Sequence, residues 1–314
     1  MRTSVFHILI ILLAAAGLSA CSSFGGSDEK IKLEGERERV LSNSTRVQED
    51  DALESLPVRL PAAVNLRNWG QIGAFADHAP MHVLMPDRVT KAWETSVGPS
   101  ASGDKRYLNP PVVANGRVFV LNPDGDVVAV NLKDGDRIWR KSILSDEDNN
   151  IRVTGGLAVV GGTLFVTTGA GDVIAMDPTR GDEIWRENIG APIRSAPAVA
   201  EGKVFVLTHN NRLNVLSSID GGLLWTHSGI EESIGILGGA PPAVAEGTVV
   251  VPYSSGEVYA LNTADGAYKW HEVLTVRMGA DPYSALVDVE APPVILGEQV
   301  YAVNHNGRMS VYDL

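Results

Sequence analysis

Gly256-Glu257-Val258-Tyr259-Ala260-Leu261-Asn262-Thr263-Ala264-Asp265-Gly266, with Trp270 four residues further on, decides the fold of this chain. A short β-branched and aromatic run sits between two turn glycines, which is strand length rather than helix length. The same frame stands at Gly125 to Gly135 with Trp139, at Gly171 to Gly181 with Trp185, and at Asn211 to Gly221 with Trp225. A further turn residue precedes each frame by nine positions: Gly116, Gly162, Gly202 and Gly247. Asn211 fits because Asn, like Gly, tolerates the left-handed backbone that tight turns need.

Working outward, Trp93, Trp139, Trp185, Trp225 and Trp270 are spaced by 46, 46, 40 and 45 residues. A period in that range signals a propeller or a solenoid. Between the turns lie Val118-Phe119-Val120-Leu121, Leu164-Phe165-Val166, Val204-Phe205-Val206-Leu207 and Val249-Val250-Val251. Each unit therefore reads as four short antiparallel strands, for example 110–115, 117–122, 126–132 and 136–143. That is one blade of an all-β propeller. The Trp falls on the outermost strand, where it is expected to pack over the neighbouring blade. The Asp residues at turns (Asp124, Asp134, Asp220, Asp265) read as turn chemistry rather than ligands.

The array is predicted not to close. Thr90–Gly98 (TKAWETSVG) matches an outermost strand with no inner three before it. Tyr312-Asp313-Leu314 falls on the third strand of the fifth repeat. The expectation is a truncated sequence forming an open arc of about five blades over residues 90–314, with unpaired strands at both edges.

The N-terminus speaks to compartment. Arg2 precedes the apolar run Phe6 to Leu18, too short to span a bilayer comfortably and suited to a signal peptide over 1–20. It ends in Leu18-Ser19-Ala20-Cys21, and Cys21 is the single Cys of the 314 residues. This order resembles the bacterial lipoprotein box, whose Cys is lipidated and becomes the mature N-terminus. Ser22 after it implies, by the same resemblance, sorting to the outer membrane. Residues 21–60 are charged and Ser-rich and read as a flexible tether, with a short helix possible around Ala52–Leu56. Residues 61–89, with Trp69, Pro80 and Pro86, read as an irregular lead-in packed on the body. The formal net charge of −12 argues against nucleic acid as a partner.

The unit GxVxAxNxxxGxxxW, seen at Gly125-Asp126-Val127-Val128-Ala129-Val130-Asn131 through Gly135 and Trp139, resembles the repeat of pyrroloquinoline-quinone-type propellers. With the lipoprotein box, it resembles the BamB family of propeller lipoproteins in the outer-membrane β-barrel assembly machinery (the BAM complex). The resemblance implies a non-enzymatic scaffold, lipid-anchored at Cys21 to the outer membrane and facing the periplasm, with no cofactor and no small-molecule substrate. It implies BamA as partner, bound through its POTRA domains by loops of two adjacent blades. Ser233-Ile234-Gly235-Ile236-Leu237-Gly238 falls where the family has Ser-Leu-Ser-Leu-Arg-Gly, and Leu286-Val287-Asp288-Val289-Glu290 where it has Ser-Asp-Val-Asp. Leu237 replaces the family's Arg, so a salt bridge from that position to the acidic pair cannot form.

The residues give those loops independent weight. Segments from each Trp to the next turn Gly vary in length, and variable loops on a rigid scaffold carry binding. Ile234, Ile236 and Leu237 form an apolar cluster bounded by Gly235 and Gly238, which reads either as an exposed interface or as the start of an innermost strand. The loop before the fifth repeat is the longest and carries Arg277, Asp281, Tyr283, Asp288 and Glu290, an interface or a solvated loop.

The competing reading is a quinone-dependent oxidoreductase, or a remnant of one, which needs clustered oxygen ligands for Ca²⁺. The Asp residues sit singly, and Asp124-Gly125-Asp126 lacks the spacing to a bidentate Glu. His209 and His305 occupy equivalent repeat positions and read as repeat structure. Binding of a cell-wall polymer stays open as a third reading.

Overall fold

Runs such as Leu164-Phe165-Val166 have no polar face to give to water, so a sheet built from them must be covered on both sides. The computed structural model, which describes residues 57, 60–99, 109–144, 155–193, 195–231, 239–274, 289, 291–305 and 307–314, shows how. The chain divides into two units at Arg59 and Leu60, and every described strand belongs to the second.

Four sheets have four antiparallel strands each, in simple meander order. The first holds β1 (Val112–Ala114), β2 (Arg117–Leu121), β3 (Asp126–Asn131) and β4 (Arg137–Ser142). The second holds β5 (Gly155–Val160), β6 (Thr163–Thr168), β7 (Asp172–Met176) and β8 (Glu183–Asn188). The third holds β9 (Ala198–Ala200), β10 (Lys203–Leu207), β11 (Arg212–Ser217) and β12 (Leu223–Ser228). The fourth holds β13 (Ala243–Ala245), β14 (Thr248–Pro252), β15 (Glu257–Asn262) and β16 (Tyr268–Val273). A fifth sheet has three strands: β17 (Val294–Leu296), β18 (Gln299–Val303) and β19 (Met309–Asp313). The innermost strands β1, β5, β9, β13 and β17 lie side by side in that order, as blades around an axis do.

The core lies between blades rather than within them. Leu157, Val159, Leu164, Val166 and Ile174 of the second blade pack back onto Val112, Phe119 and Val127 of the first. The alternate residues Ala158, Phe165, Val173 and Ala175 pack forward onto Val199, Val204 and Leu216 of the third. The third and fourth blades, and the fourth and fifth, meet in the same way. Period-two alternation therefore divides each strand between two neighbours.

All twelve turn positions read from the sequence have positive φ, Asn211 at 55° included. Each third–fourth strand pair carries a register shift at one equivalent place, Ala129/Val130, Ala175/Met176, Val215/Leu216 and Ala260/Leu261, which adds local twist. Directly across from it stands the repeat Trp, paired with Ala129, Ala175, Val215 or Ala260. Its ring reaches forward. The indole Nε1 of Trp139 donates to Pro178 O at 3.1 Å, that of Trp185 to Ser218 O at 3.3 Å, and that of Trp225 to Thr263 O at 3.1 Å. The same rings lie flat against Gly181, Gly221 and Gly266 of the next blade.

The orphan segment behaves as the repeat predicts in one respect and not in another. Trp93 covers Gly135 and donates to Leu132 O at 3.0 Å, the contact its counterparts make. Yet 90–97 forms no strand, because no described strand pairs with it.

The lead-in takes a place its irregular sequence did not disclose. Trp69 exchanges both backbone hydrogen bonds with Val113 of β1 (2.7 and 2.8 Å). Gly70 O accepts from Val159 N of β5 at 2.6 Å, Ala76 O from Val244 N of β13 at 2.7 Å, and Asp77 O from Ile295 N of β17 at 2.8 Å. The Gln71 amide bridges Val199 of β9, accepting from its N–H at 3.0 Å and donating to its C=O at 3.3 Å. The segment runs along the inner edges of five blades in chain order. Its two arms meet in a parallel bridge between Val64 and Val83.

The Trp-on-Gly contact predicts a measurable contrast. Gly181 and Gly202 have nearly the same φ (72° and 71°), but a Cβ at Gly181 would lie 2.8 Å from the Trp139 ring, whereas one at Gly202 meets nothing within 4 Å. Gly202→Ala should cost about 1 kcal/mol of backbone strain, and Gly181→Ala about 2–4 kcal/mol, read from denaturant unfolding midpoints.

Candidate protein-docking interface

Blade symmetry puts every loop from an outermost strand to the next innermost strand on one face. The loop after β12 and the loop after β16 are two such loops on adjacent blades. Ile234, Ile236, Leu237, Asp288 and Glu290 lie in them but outside the described residues, as do Cys21, the possible helix at Ala52–Leu56, and the loop residues Arg277, Asp281 and Tyr283. Their described flanks show how the loops are rooted.

Ile230 roots the first. Its N–H donates to Glu257 Oε2 of the fourth blade at 2.9 Å, and its C=O accepts from Asn211 Nδ2 of the third at 2.7 Å. Asn211 Oδ1 in turn accepts from the N–H and hydroxyl of Ser254 at 3.1 and 2.9 Å. The backbone of Ile230 is therefore pinned by two blades while its side chain stays 62% exposed. The second loop leaves from buried Leu274, whose C=O accepts from Asn304 Nδ2 at 2.8 Å, and returns at Val289, buried against Ile295 and Val300.

Between these roots the fourth blade departs from its own repeat. Tyr253 stands where the other blades have Asn122, Thr168, Thr208 and Asn304, and Tyr259 where they have Val128, Ile174 and Asn214. His271 stands where the first two blades have Arg140 and Arg186, which pair with Asp126 and Asp172 at 2.5 and 2.8 Å. The rings form a ladder. His271 stacks on Tyr259 with centroids 5.0 Å apart, Tyr259 lies 4.6 Å from His227, and His227 stacks on Tyr253 at 5.9 Å. Gly229 is required beneath it, since a Cβ there would lie 2.7 Å from the Tyr253 ring. Buried Glu257 accepts from Ser255 Oγ at 2.7 Å and Tyr259 Oη at 3.1 Å, so its charge is fully hydrogen-bonded. Burial raises the Tyr253 phenol, with Tyr259 and Glu257 adding to it, so the phenol stays neutral. Burial lowers His227, partly opposed by Glu257. Setting the repeats in register, residue by residue, exposes this cluster, which no metal or triad pattern marks.

The outer edges differ too. β4 (RIWRKS), β8 (EIWREN) and β16 (YKWHEV) each carry at least two charges, the usual guard of an unpaired strand edge. β12 (LLWTHS) carries none, and Leu223 and Leu224 are 59% and 51% exposed. A cleft of about 350 Å³ between the second and third blades includes Ile184, Ile219 and Glu201. Both Glu201 oxygens accept from the fourth blade, through Gly247 N and Thr263 Oγ1, which ties the carboxylate to that joint.

Chemistry finds little to build on. Asp134, Asp220 and Asp265 accept the backbone N–H two residues on, at 3.1, 3.2 and 2.9 Å, which is turn capping. Among the described residues no three His, Cys, Asp or Glu side chains are grouped to hold a metal ion.

These features define a pyrroloquinoline-quinone-type β-propeller. The family model described as outer membrane protein assembly factor BamB matches residues 81–154 and 123–314, and the chain belongs to that family. It is 30% identical over 230 residues to outer membrane protein assembly factor BamB of Moranella endobia, covering 71% of this chain and 59% of that protein. It is 34% identical over 239 residues to the protein of the same name from Vibrio cholerae, covering 75% and 61%. The chain thus spans about 60% of the length of these curated relatives. Among solved structures, BamB from Moraxella catarrhalis superposes with a TM-score of 0.57 at 21% identity, over 66% of this chain and 60% of that one. The quinohemoprotein alcohol dehydrogenase ADHIIG from Pseudomonas putida superposes with 0.62 at 18% identity, over 82% and 49%. Both likenesses are likenesses of fold.

The ladder predicts a pH dependence. His227 and buried His78 are both depressed from 6.5 by burial, so the unfolded chain takes up their protons first as pH falls. Their stabilisation is complete above about pH 6.5 and is lost as pH drops through and below it. Thermal melts from pH 7.5 to 5 should show a falling Tm, and His227→Gln should flatten part of that fall.

Proposed function

We propose that this protein is a non-enzymatic scaffold of outer-membrane protein assembly, held to the outer membrane through a lipid on Cys21 and facing the periplasm. The observation that carries this reading is membership of the BamB family across residues 81–314. BamA is the proposed partner, engaged through its POTRA domains within the BAM complex, so that the scaffold aids insertion of β-barrel proteins. The contact residues proposed are Ile234, Ile236, Leu237, Asp288 and Glu290. Support comes from the rigid roots of both loops at Ile230 and Leu274, and from the uncharged edge of β12 beside the first of them. An interface needs anchors that are already ordered, because ordering on binding subtracts from affinity. No step of chemistry is assigned to the protein.

Two experiments test the reading. In a pull-down with BamA periplasmic domains, Ile236→Asp combined with Asp288→Lys should abolish capture, given that a charge in an apolar anchor site costs several kcal/mol. Undiminished capture would refute the contact assignment. Cells fed radiolabelled fatty acid should label the wild-type protein and not Cys21→Ser; an unlabelled wild-type protein would remove the anchor from the account.

A further inference from the structure

In a propeller the innermost strand of each blade has one edge with no strand beyond it. Here one N–H on that edge recurs at a repeat-equivalent position in all five blades, three residues before the first turn: Val113, Val159, Val199, Val244 and Ile295. All five lie at one level of the axis, and all five are hydrogen-bonded. The acceptors come from a single stretch: Trp69 O, Gly70 O, Gln71 Oε1, Ala76 O and Asp77 O, at 2.6 to 3.0 Å. A buried N–H left unpaired costs about 1–3 kcal/mol, so this set is a substantial grip.

The stretch is shaped like an occupant rather than like a sixth sheet. It forms no ladder with any blade: it makes one isolated bridge with β1, between Trp69 and Val113, and separate hydrogen bonds to each later blade. A Cβ at Gly70 would lie 2.5 Å from Val159 O, so only Gly allows that approach. Between the third and fourth contacts the chain turns, with Ala74 N donating to Gln71 O at 2.9 Å and Ala74 at φ 73°. Gln71, Ala74, Ala76 and His78 are buried. The His78 ring makes a 2.8 Å hydrogen bond with Pro293 O ahead of the fifth blade. The bridge between Val64 and Val83 lies within the stretch's own arms and joins it to no blade. Recognition through main-chain groups, with one amide side chain for register, is how proteins bind extended peptides.

We propose that the axis of this propeller is a peptide-binding channel that the protein fills with its own residues 69–78. The occupied channel holds the N-terminal region to the blades without relying on the covalent link at 85–92, and it closes that level of the axis to small molecules. The proposal stands apart from the scaffold reading: it would hold for any activity of the blade loops.

The test uses the full chain. A site-specific protease sequence is inserted at Asp87–Val89, beside exposed Met85 and Val89, and is cut after folding. On gel filtration in native buffer the two fragments should elute together and separate only in denaturant. Separation in native buffer would overturn the proposal. In the cut protein, Gln71→Ala should speed fragment dissociation about tenfold, one hydrogen-bonded pair's worth. A synthetic peptide of residues 66–80, but not its scrambled form, should block reassociation. If Gln71→Ala left dissociation unchanged and the native peptide failed to compete, the grip would not lie in the channel and the proposal would fall.

Discussion

The described blades are apolar on both faces, and that is the constraint from which the rest of the architecture follows. A sheet such as β5–β8 buries Leu157 and Val166 on one side and Ala158 and Phe165 on the other. Left alone it would expose both sets to water, at roughly 1.5–3 kcal/mol for each large side chain. Stability therefore belongs to the joints between blades, and each joint is a hydrophobic cluster shared by two consecutive repeats. The turns, bulges and tryptophans serve that joint: they set the angle at which the next sheet arrives.

Because the joints share one pattern, departures from it carry information. The first two blades close their outer turn with an Arg–carboxylate pair, Arg140 with Asp126 and Arg186 with Asp172. The fourth replaces that solution with Tyr253, Tyr259, His271 and a hydrogen-bonded Glu257. The joint works with the simpler arrangement, so packing alone does not demand the larger rings. They support the root of the loop at Ile230, on the side where the outer strand carries no guarding charge. Structure that the repeat does not need is concentrated at the root of the loop after β12.

The blades were legible in the sequence because positive φ is demanding. The twelve turn positions are Gly or Asn at positive φ, and the spacing of those residues marks the strand register to within a residue or two. The inner strands came out shorter than read, three residues for β1 where six were expected, because their length is set by contact with the axis and leaves no residue-type signature. Residues 61–89 were opaque for a related reason. Trp69, Gly70, Ala76 and Asp77 bind the blades through backbone groups, which every residue has, and the side chains of Asn68, Gln71 and His78 that add to them follow no repeat pattern. The ladder beneath Ile230 was visible in principle, since Tyr253 breaks a column of Asn and Thr, but only to a reader comparing repeats rather than seeking ligands.

The tryptophan contact also has a direction. In each instance the indole comes from the earlier unit and the glycine and carbonyl that receive it from the later one: Trp93 onto Gly135, Trp139 onto Gly181, Trp185 onto Gly221, Trp225 onto Gly266. The joint is therefore polar along the chain, like a peg moulded before its socket. Every such contact links a segment to the one that follows it, so the order of the blades around the axis is written into the order of the repeats in the chain. Joints of this kind keep blade-to-blade contacts between consecutive repeats, whereas the lead-in at 69–77 reaches across to the fifth blade.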